Sequence, residues 1–159
     1  MYKTTPTQFY KDIQYEQKRV PKTIKLLNKV CEKAVWIDDI AWQKTFHLDG
    51  YIFFHGKKYW FDAKNVRNKY QHIFVETETN GGKNNGWLYH NIHRKNVLII
   101  YGFDLEGQKV ELWFIPLHKL RSYVQQNKDK LKYTTKCDTG YGYLVPLSEI
   151  KKFSAKIVV

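Results

Sequence analysis

A chain of 159 residues is one ordinary domain long and can bury roughly 70% of its unfolded surface. Its 27 Lys+Arg against 15 Asp+Glu leave a formal +12, which favours a polyanionic partner and nucleic acid before an anionic membrane surface. No apolar run approaches the roughly 20 residues that span a bilayer, and the polar start MYKTTPTQFYKD lacks the apolar core of a signal peptide, so no membrane partner is expected and the location reads as cytoplasmic. Cys31 and Cys137 lie far apart and outside metal-ligand spacing, which predicts free thiols in a reducing compartment.

Residues 5–18 open with a capping-box-like Thr-Pro-Thr-Gln and continue as a polar helix, which Pro21 should interrupt. A second helix over 22–36 gathers Ile24, Leu27, Val30, Cys31 and Ala34 on one stripe. Strands are predicted at 46–55, 58–64 and 72–79 from their aromatic and branched residues. The stretch NGGKNNG, 80–86, is a loop, and 87–95 is a short helix or irregular crossing. Strands at 96–103 and 109–115 flank Glu106-Gly107, and Pro116 opens a helix over 117–127. The remainder reads as a short strand and a terminal helical turn. With no repeat, linker or compositional boundary, the expectation is a single α/β domain over 1–159, a mixed sheet flanked by helices, with 1–20 as a peripheral N-terminal helix.

The hairpin HLDGYIFFHGKKYWFDAKN carries charge at its far ends. If its turn centres on Gly56-Lys57, Asp49 faces Lys64 and Tyr51 faces Asp62, and all three charged residues share one face. Two carboxylates about 5 Å apart repel unless a cation compensates them, and Asp49 and Asp62 can hold Mg2+, with Mn2+ as a substitute. Lys64 would position or deprotonate the attacking water or neutralise the developing charge. In FVETE, Glu76 is the further ligand or water organiser if its strand runs beside Asp62, and Glu78 faces solvent. Acidic residues at strand ends are also common without any chemistry.

Asp49, a hairpin, then Asp62-Ala63-Lys64 resembles the PD-(D/E)XK nuclease superfamily, and the wider run resembles its small members encoded by phages and other mobile elements. Ile73-Phe74-Val75-Glu76 and Gly86-Trp87-Leu88-Tyr89 follow in the order such proteins show, and the match covers residues 46–120. The sequence departs from the pattern at Leu48, which stands where proline is usual, at Asp62, which replaces glutamate, and at His93-Arg94-Lys95-Asn96, which replaces a small residue and an acid. The resemblance implies a restriction-endonuclease-like core of helix, three strands, helix and strand, and a metal-dependent endonuclease acting on DNA in a bacterial host. It also implies a further acid from the first helix, which Glu32 or Glu16 could supply, and a possible homodimer. Two other readings are a catalytically inactive nuclease-fold protein that binds nucleic acid or a host protein in counter-defence, and, more narrowly, a Holliday-junction resolvase.

Phosphate contacts are expected from Lys57, Lys58, Arg67, Lys69, Lys83, Arg94 and Lys95, which lie in or beside loops near the proposed site. Lys128, Lys130, Lys132 and Lys136 read as solvated surface, and most of Trp36, Trp42, Trp60 and Trp113 as core. His90 and His93 lack a third nitrogen or sulfur ligand for zinc. There is no P-loop ending after 80–85 and no Gly-x-Ser-x-Gly elbow.

Overall fold

The computed structural model describes residues 6–66, 69–136 and 140–159, with side chains from residue 18 onward apart from Lys136. Arg67 and Cys137 therefore lie outside the described residues, as does the side chain of Glu16. The chain runs α1 (Pro6–Val30), β1 (Lys33–Trp36), α2 (Ile40–Phe46), β2 (Gly50–Phe54), β3 (Lys57–Val66), β4 (His72–Thr79) and β5 (Asn84–Asn85). A short 3-10 turn, Trp87–Tyr89, leads to β6 (Val97–Asp104), β7 (Val110–Pro116) and α3 (Leu117–Asn127). It closes with β8 (Lys132–Lys136), β9 (Gly140–Pro146), α4 (Leu147–Ile150) and β10 (Ala155–Val158).

The strands form two sheets. Six strands lie in the order β1-β2-β3-β6-β7-β10, mixed because β3 and β6 are parallel while every other pair is antiparallel. Four strands, β5-β4-β9-β8, make a second, antiparallel sheet. The larger sheet is buried on both faces. Leu26 and Leu27 of α1 pack with Ile52, Phe61, Ile100 and Leu112 on one side. On the other, Ile99, Phe103 and Ile115 pack against Ile73, Val75 and Val145 of the small sheet and against Leu120 and Val124 of α3. The whole is a single-domain α/β fold with a mixed sheet and helices, as the sequence pattern predicts at that level.

Several elements differ from expectation. Pro21 does not end a helix, because α1 runs through it to Val30. Proline costs the interior of a helix a hydrogen bond, and here both flanks are tied to the rest of the fold. Arg19, buried, pairs with Asp104 at the end of β6, and Leu26 and Leu27 are in the core. Residues 33–36, expected as helix, instead pair with β2 as an edge strand, and the expected strand at 46 begins only at Gly50, after α2. Asp39 caps α2 by accepting from the Trp42 N–H at 2.9 Å, and His47 ends it in the left-handed region at φ 51. The third strand of the expected run, β4, is not in the main sheet at all. It lies in the crossing between β3 and β6, where a third core strand was expected before the short helix or irregular crossing of 87–95.

Candidate functional site

The site is built at the open end of the β2–β3 hairpin. His55 and Gly56 form its turn at φ 48 and 69, the paired positive values of a tight type I′ connection. Gly50 therefore pairs with Phe61 and Phe54 with Lys57, a register two residues away from one centred on Gly56-Lys57. Asp49 stands opposite Asp62 instead of Lys64. A slip of two leaves every side chain on its original face. Trp60, Asp62 and Lys64 point toward the small sheet, whereas Phe61 and Ala63 point toward α1.

Asp49 is clamped by backbone on both sides. Its N–H donates to the Phe61 carbonyl at 2.8 Å, and its own carbonyl accepts from Ile37 N–H at 2.8 Å. Its Oδ2 accepts from the Ala63 N–H, again at 2.8 Å. The following Gly50 is required by close approach, since a Cβ there would lie 2.1 Å from the Val35 carbonyl oxygen. Asp62 Oδ1 is 2.8 Å from Lys64 Nζ, with side-chain exposures of 13% and 31%. The Lys64 ammonium also lies 5.8 Å from the centre of the Trp87 ring.

These neighbours set the charge states. Burial, then repulsion by Asp62, pushes the Asp49 carboxyl up to about 7, against the opposing pull of the Ala63 N–H and Lys64; the two carboxyl groups are within hydrogen-bonding reach. Burial pulls the Lys64 ammonium down, but Asp62 outweighs it with help from Asp49 and Glu76, and the group is held above its ordinary value. Lys64 is therefore a fixed cation near neutral pH. His90 is lowered by burial and by His47, whose ring stacks on it at 3.7 Å. Its Nε2–H donates to the Asn85 carbonyl at 3.2 Å, which leaves Nδ1 as an acceptor.

Two adjoining clefts of about 550 and 240 Å³ share Gln43, Asp49, Asp62, Lys64, Glu76 and Trp87. Glu76 thus reaches the same cleft as Asp49 and Asp62, though from the small sheet and not from a strand hydrogen-bonded to β3. A bulge between Glu76 and Glu78 interrupts that strand, and Glu78 is exposed. Gly86 lies so close beneath Glu76 that a Cβ would stand 2.5 Å from the Glu76 carbonyl oxygen, and its N–H donates to the Thr77 carbonyl at 2.9 Å. This contact seats Trp87 beside Lys64.

The other expected residues scatter. Glu32 is at the opposite end of the hairpin, where its exposed carboxylate accepts from the Gly56 N–H at 3.0 Å. It braces the turn and does not join the acids. Lys69 pairs at 3.0 Å with the buried Glu111, which Trp113 Nε1–H and Lys156 also face. Lys57, Lys83, Arg94 and Lys95 are exposed, and Lys58 is half-buried over aromatic rings. Trp87 and Trp113 are buried, while Trp36, Trp42 and Trp60 are half-buried at core margins. Cys31 is a free thiol, raised by burial and then by Glu32.

Sequence reading missed Gln43, His47 and Tyr101 as cleft residues, and it weighed His90 only with His93. Tyr101 was legible in hindsight as an inward residue of a core strand. It sits beside Lys64 across the parallel pair, and the Phe74 backbone hydrogen-bonds its hydroxyl. Gln43 and His47 carried no signal because the α2 helix itself was not anticipated.

Among the described residues no group of three or more His, Cys, Asp or Glu is arranged to hold a metal ion. The donor set at Asp49 and Asp62 is two hard carboxylates, which suits Mg2+, an ion that takes one or two protein carboxylates and keeps several waters. Among the described residues no helix is long and apolar enough to cross a membrane. No protein-family model matches the chain, and neither a curated protein nor a solved structure matches it.

Proposed function

We propose that the protein is a Mg2+-dependent nuclease that hydrolyses phosphodiester bonds of DNA, in the manner of the PD-(D/E)XK superfamily. The observation that carries this reading is the convergence of Asp49, Asp62 and Lys64 on one cleft wall, with the Asp49 carboxyl pushed to about 7 by burial and then by repulsion from Asp62. Such a pair asks for either a proton or a cation. The order of α1, the β1-β2-β3 meander and the parallel β6 also supports a restriction-endonuclease-like core, with the small sheet and the 3-10 turn standing where that core has a helix.

In this reading Asp49 and Asp62 hold the ion, and Mg2+ when bound supplies Lewis-acid polarisation of the phosphate and acidifies water. The Ala63 N–H holds Oδ2 of the Asp49 carboxylate, which lines the cleft, and leaves Oδ1 for the ion. Lys64, held cationic beside Asp62, positions the attacking water and offsets negative charge on the phosphorus oxygens. Glu76, which lines the same cleft from the small sheet, would orient water there. Plasmid cleavage that requires Mg2+ or Mn2+ and disappears in Asp62→Ala and Lys64→Ala, both folded, tests the assignment. Full cleavage by either folded variant would sink it.

A second reading has its own observation. Arg94 and Lys95 are exposed where the resemblance leads one to expect an acid, which suits a nuclease-fold protein that binds nucleic acid, or a host protein, without cutting. Salt-sensitive, metal-independent DNA binding with no cleavage of linear, plasmid or four-way-junction substrates would favour it, and junction-selective cleavage would favour a resolvase.

A further inference from the structure

Beside the acidic cleft, at the margin of the core, lies a run of half-buried rings and cations that the proposed chemistry does not use. Trp42 meets Phe46 at 4.9 Å and Trp60 at 5.5 Å between ring centres, and Trp60 meets Tyr51 at 5.5 Å. Two cations lie over these rings. Lys58 Nζ is 4.1 Å from the Tyr51 centre and 4.0 Å from Trp60, and the Arg94 guanidinium is 6.0 Å from Phe46 and 5.7 Å from Trp60. Phe46 is 37% exposed and Arg94 is exposed.

The run is fixed in place. Asn91 Nδ2 donates to the Phe46 carbonyl at 2.9 Å, Asn96 Nδ2 donates to the Lys58 carbonyl at 3.0 Å, and Trp60 N–H donates to the Asn96 carbonyl at 2.9 Å. These bonds hold the end of α2 and the start of β3 to the segment that bears Arg94. Trp60 precedes Asp62 by two residues on the same strand and face, so the rings end where the carboxylates begin.

We infer that this surface is a stacking platform for an unpaired nucleic-acid strand, which it delivers to the Asp49–Asp62 cleft. The inference rests on the nuclease reading only for what the strand is delivered to. Aromatic faces stack on any base, but only on one withdrawn from a helix, because paired bases already have both faces covered. The cations supply the complementary charge for phosphates between successive bases, in a chain that carries +12. A platform prebuilt by backbone and amide bonds loses little freedom when the strand arrives.

The test is fluorescence anisotropy of a labelled oligothymidylate of roughly 16 nucleotides, in EDTA so that no cutting is needed, across a salt series. Phe46→Ala is expected to weaken binding about fivefold or more with the salt dependence unchanged, since one stacking face is lost. Arg94→Ala, an exposed change that spares the fold, is expected to weaken binding and lower the slope of log K against log salt by about 0.7, one phosphate contact on a single strand. An unlabelled duplex of the same length should compete poorly. Wild-type binding by both variants, or duplex competition equal to that of the single strand, overturns the inference. Platform-dependent binding by a protein that cuts nothing would remove the nuclease reading and leave this one standing, whereas Mg2+-dependent cleavage with both variants binding as wild type would do the reverse.

Discussion

Asp49→Asn should make the metal-free protein more stable, not less, at alkaline pH. An asparagine there keeps an oxygen to accept from the Ala63 N–H and gains an NH2 that can donate to Asp62, so it imitates the protonated aspartate without the charge. The wild-type carboxyl is raised in the fold to about 7 from 3.8. Below the unfolded value both states hold the proton, and the fold's preference for it is fully expressed. As pH climbs, the unfolded chain releases its proton first, and the stabilisation drains away until the folded group has also ionised above about 7. Three pKa units correspond to about 4 kcal/mol as an upper figure, since neighbouring groups and water relax. For a chain of this size that is a Tm difference of about 8–16 °C at most. Thermal unfolding in EDTA at intervals from pH 4 to pH 8.5 should give a wild-type curve that falls against the variant's, with the two meeting at the acid end. Excess Mg2+ at pH 8 should raise the wild type by about 3 kcal/mol at a hundredfold excess over its dissociation constant and leave the variant nearly unmoved. Parallel pH profiles for the two proteins would refute a raised Asp49 carboxyl, whether raised by burial or by Asp62.

Mg2+ binding should release close to one proton at pH 6 and almost none at pH 8.5, because the ion displaces the proton held on Asp49; calorimetry in two buffers of different ionisation enthalpy measures this. Gly86→Ala should destabilise by about 1–3 kcal/mol, because its Cβ would press on the Glu76 backbone, and should lower cleavage beyond what the stability loss explains; urea titration and a cleavage assay at low temperature separate the two. Glu32→Ala should leave cleavage at the wild-type rate and cost less than about 1 kcal/mol, since it removes one exposed hydrogen bond at the hairpin turn. A Glu32→Ala protein that folds but does not cut would return that acid to the site.

What the sequence disclosed was set by whether a signal is local. The strand at 72–79 and the helix at 117–127 have the predicted bounds, since each carries a strong period and clear flanking residues. The hairpin was visible, but its register was misplaced by two because Gly56 alone suggested the turn, and His55 adopts a positive φ that non-glycine residues seldom take. The faces survived that error, so Asp49, Asp62 and Lys64 still fall together. The edge strand at 33–36 and the helix through Pro21 are decided by partners distant in sequence: Lys33–Trp36 pair with β2, and Arg19 reaches Asp104. The assignment of β4 to a separate sheet depends on β9, about seventy residues later, and no nearby residue announces it. That long-range pairing also explains why Glu76 was legible as a candidate while its route to the cleft was not.

β3 is a partition between two interiors. Tyr59, Phe61 and Ala63 belong to the α1 side, and Trp60, Asp62, Lys64 and Val66 to the side of the small sheet. A saturation scan across 59–66 should therefore draw a sawtooth. Odd positions should report expression and thermal tolerance, and Asp62 and Lys64 should report catalysis in proteins that still accumulate. Length changes obey the same parity: adding or removing one residue within β3 would exchange the two interiors' side chains along the strand, whereas a change confined to the His55-Gly56 turn would pass them through unaltered, since β1 and β6 hold the two strands in place.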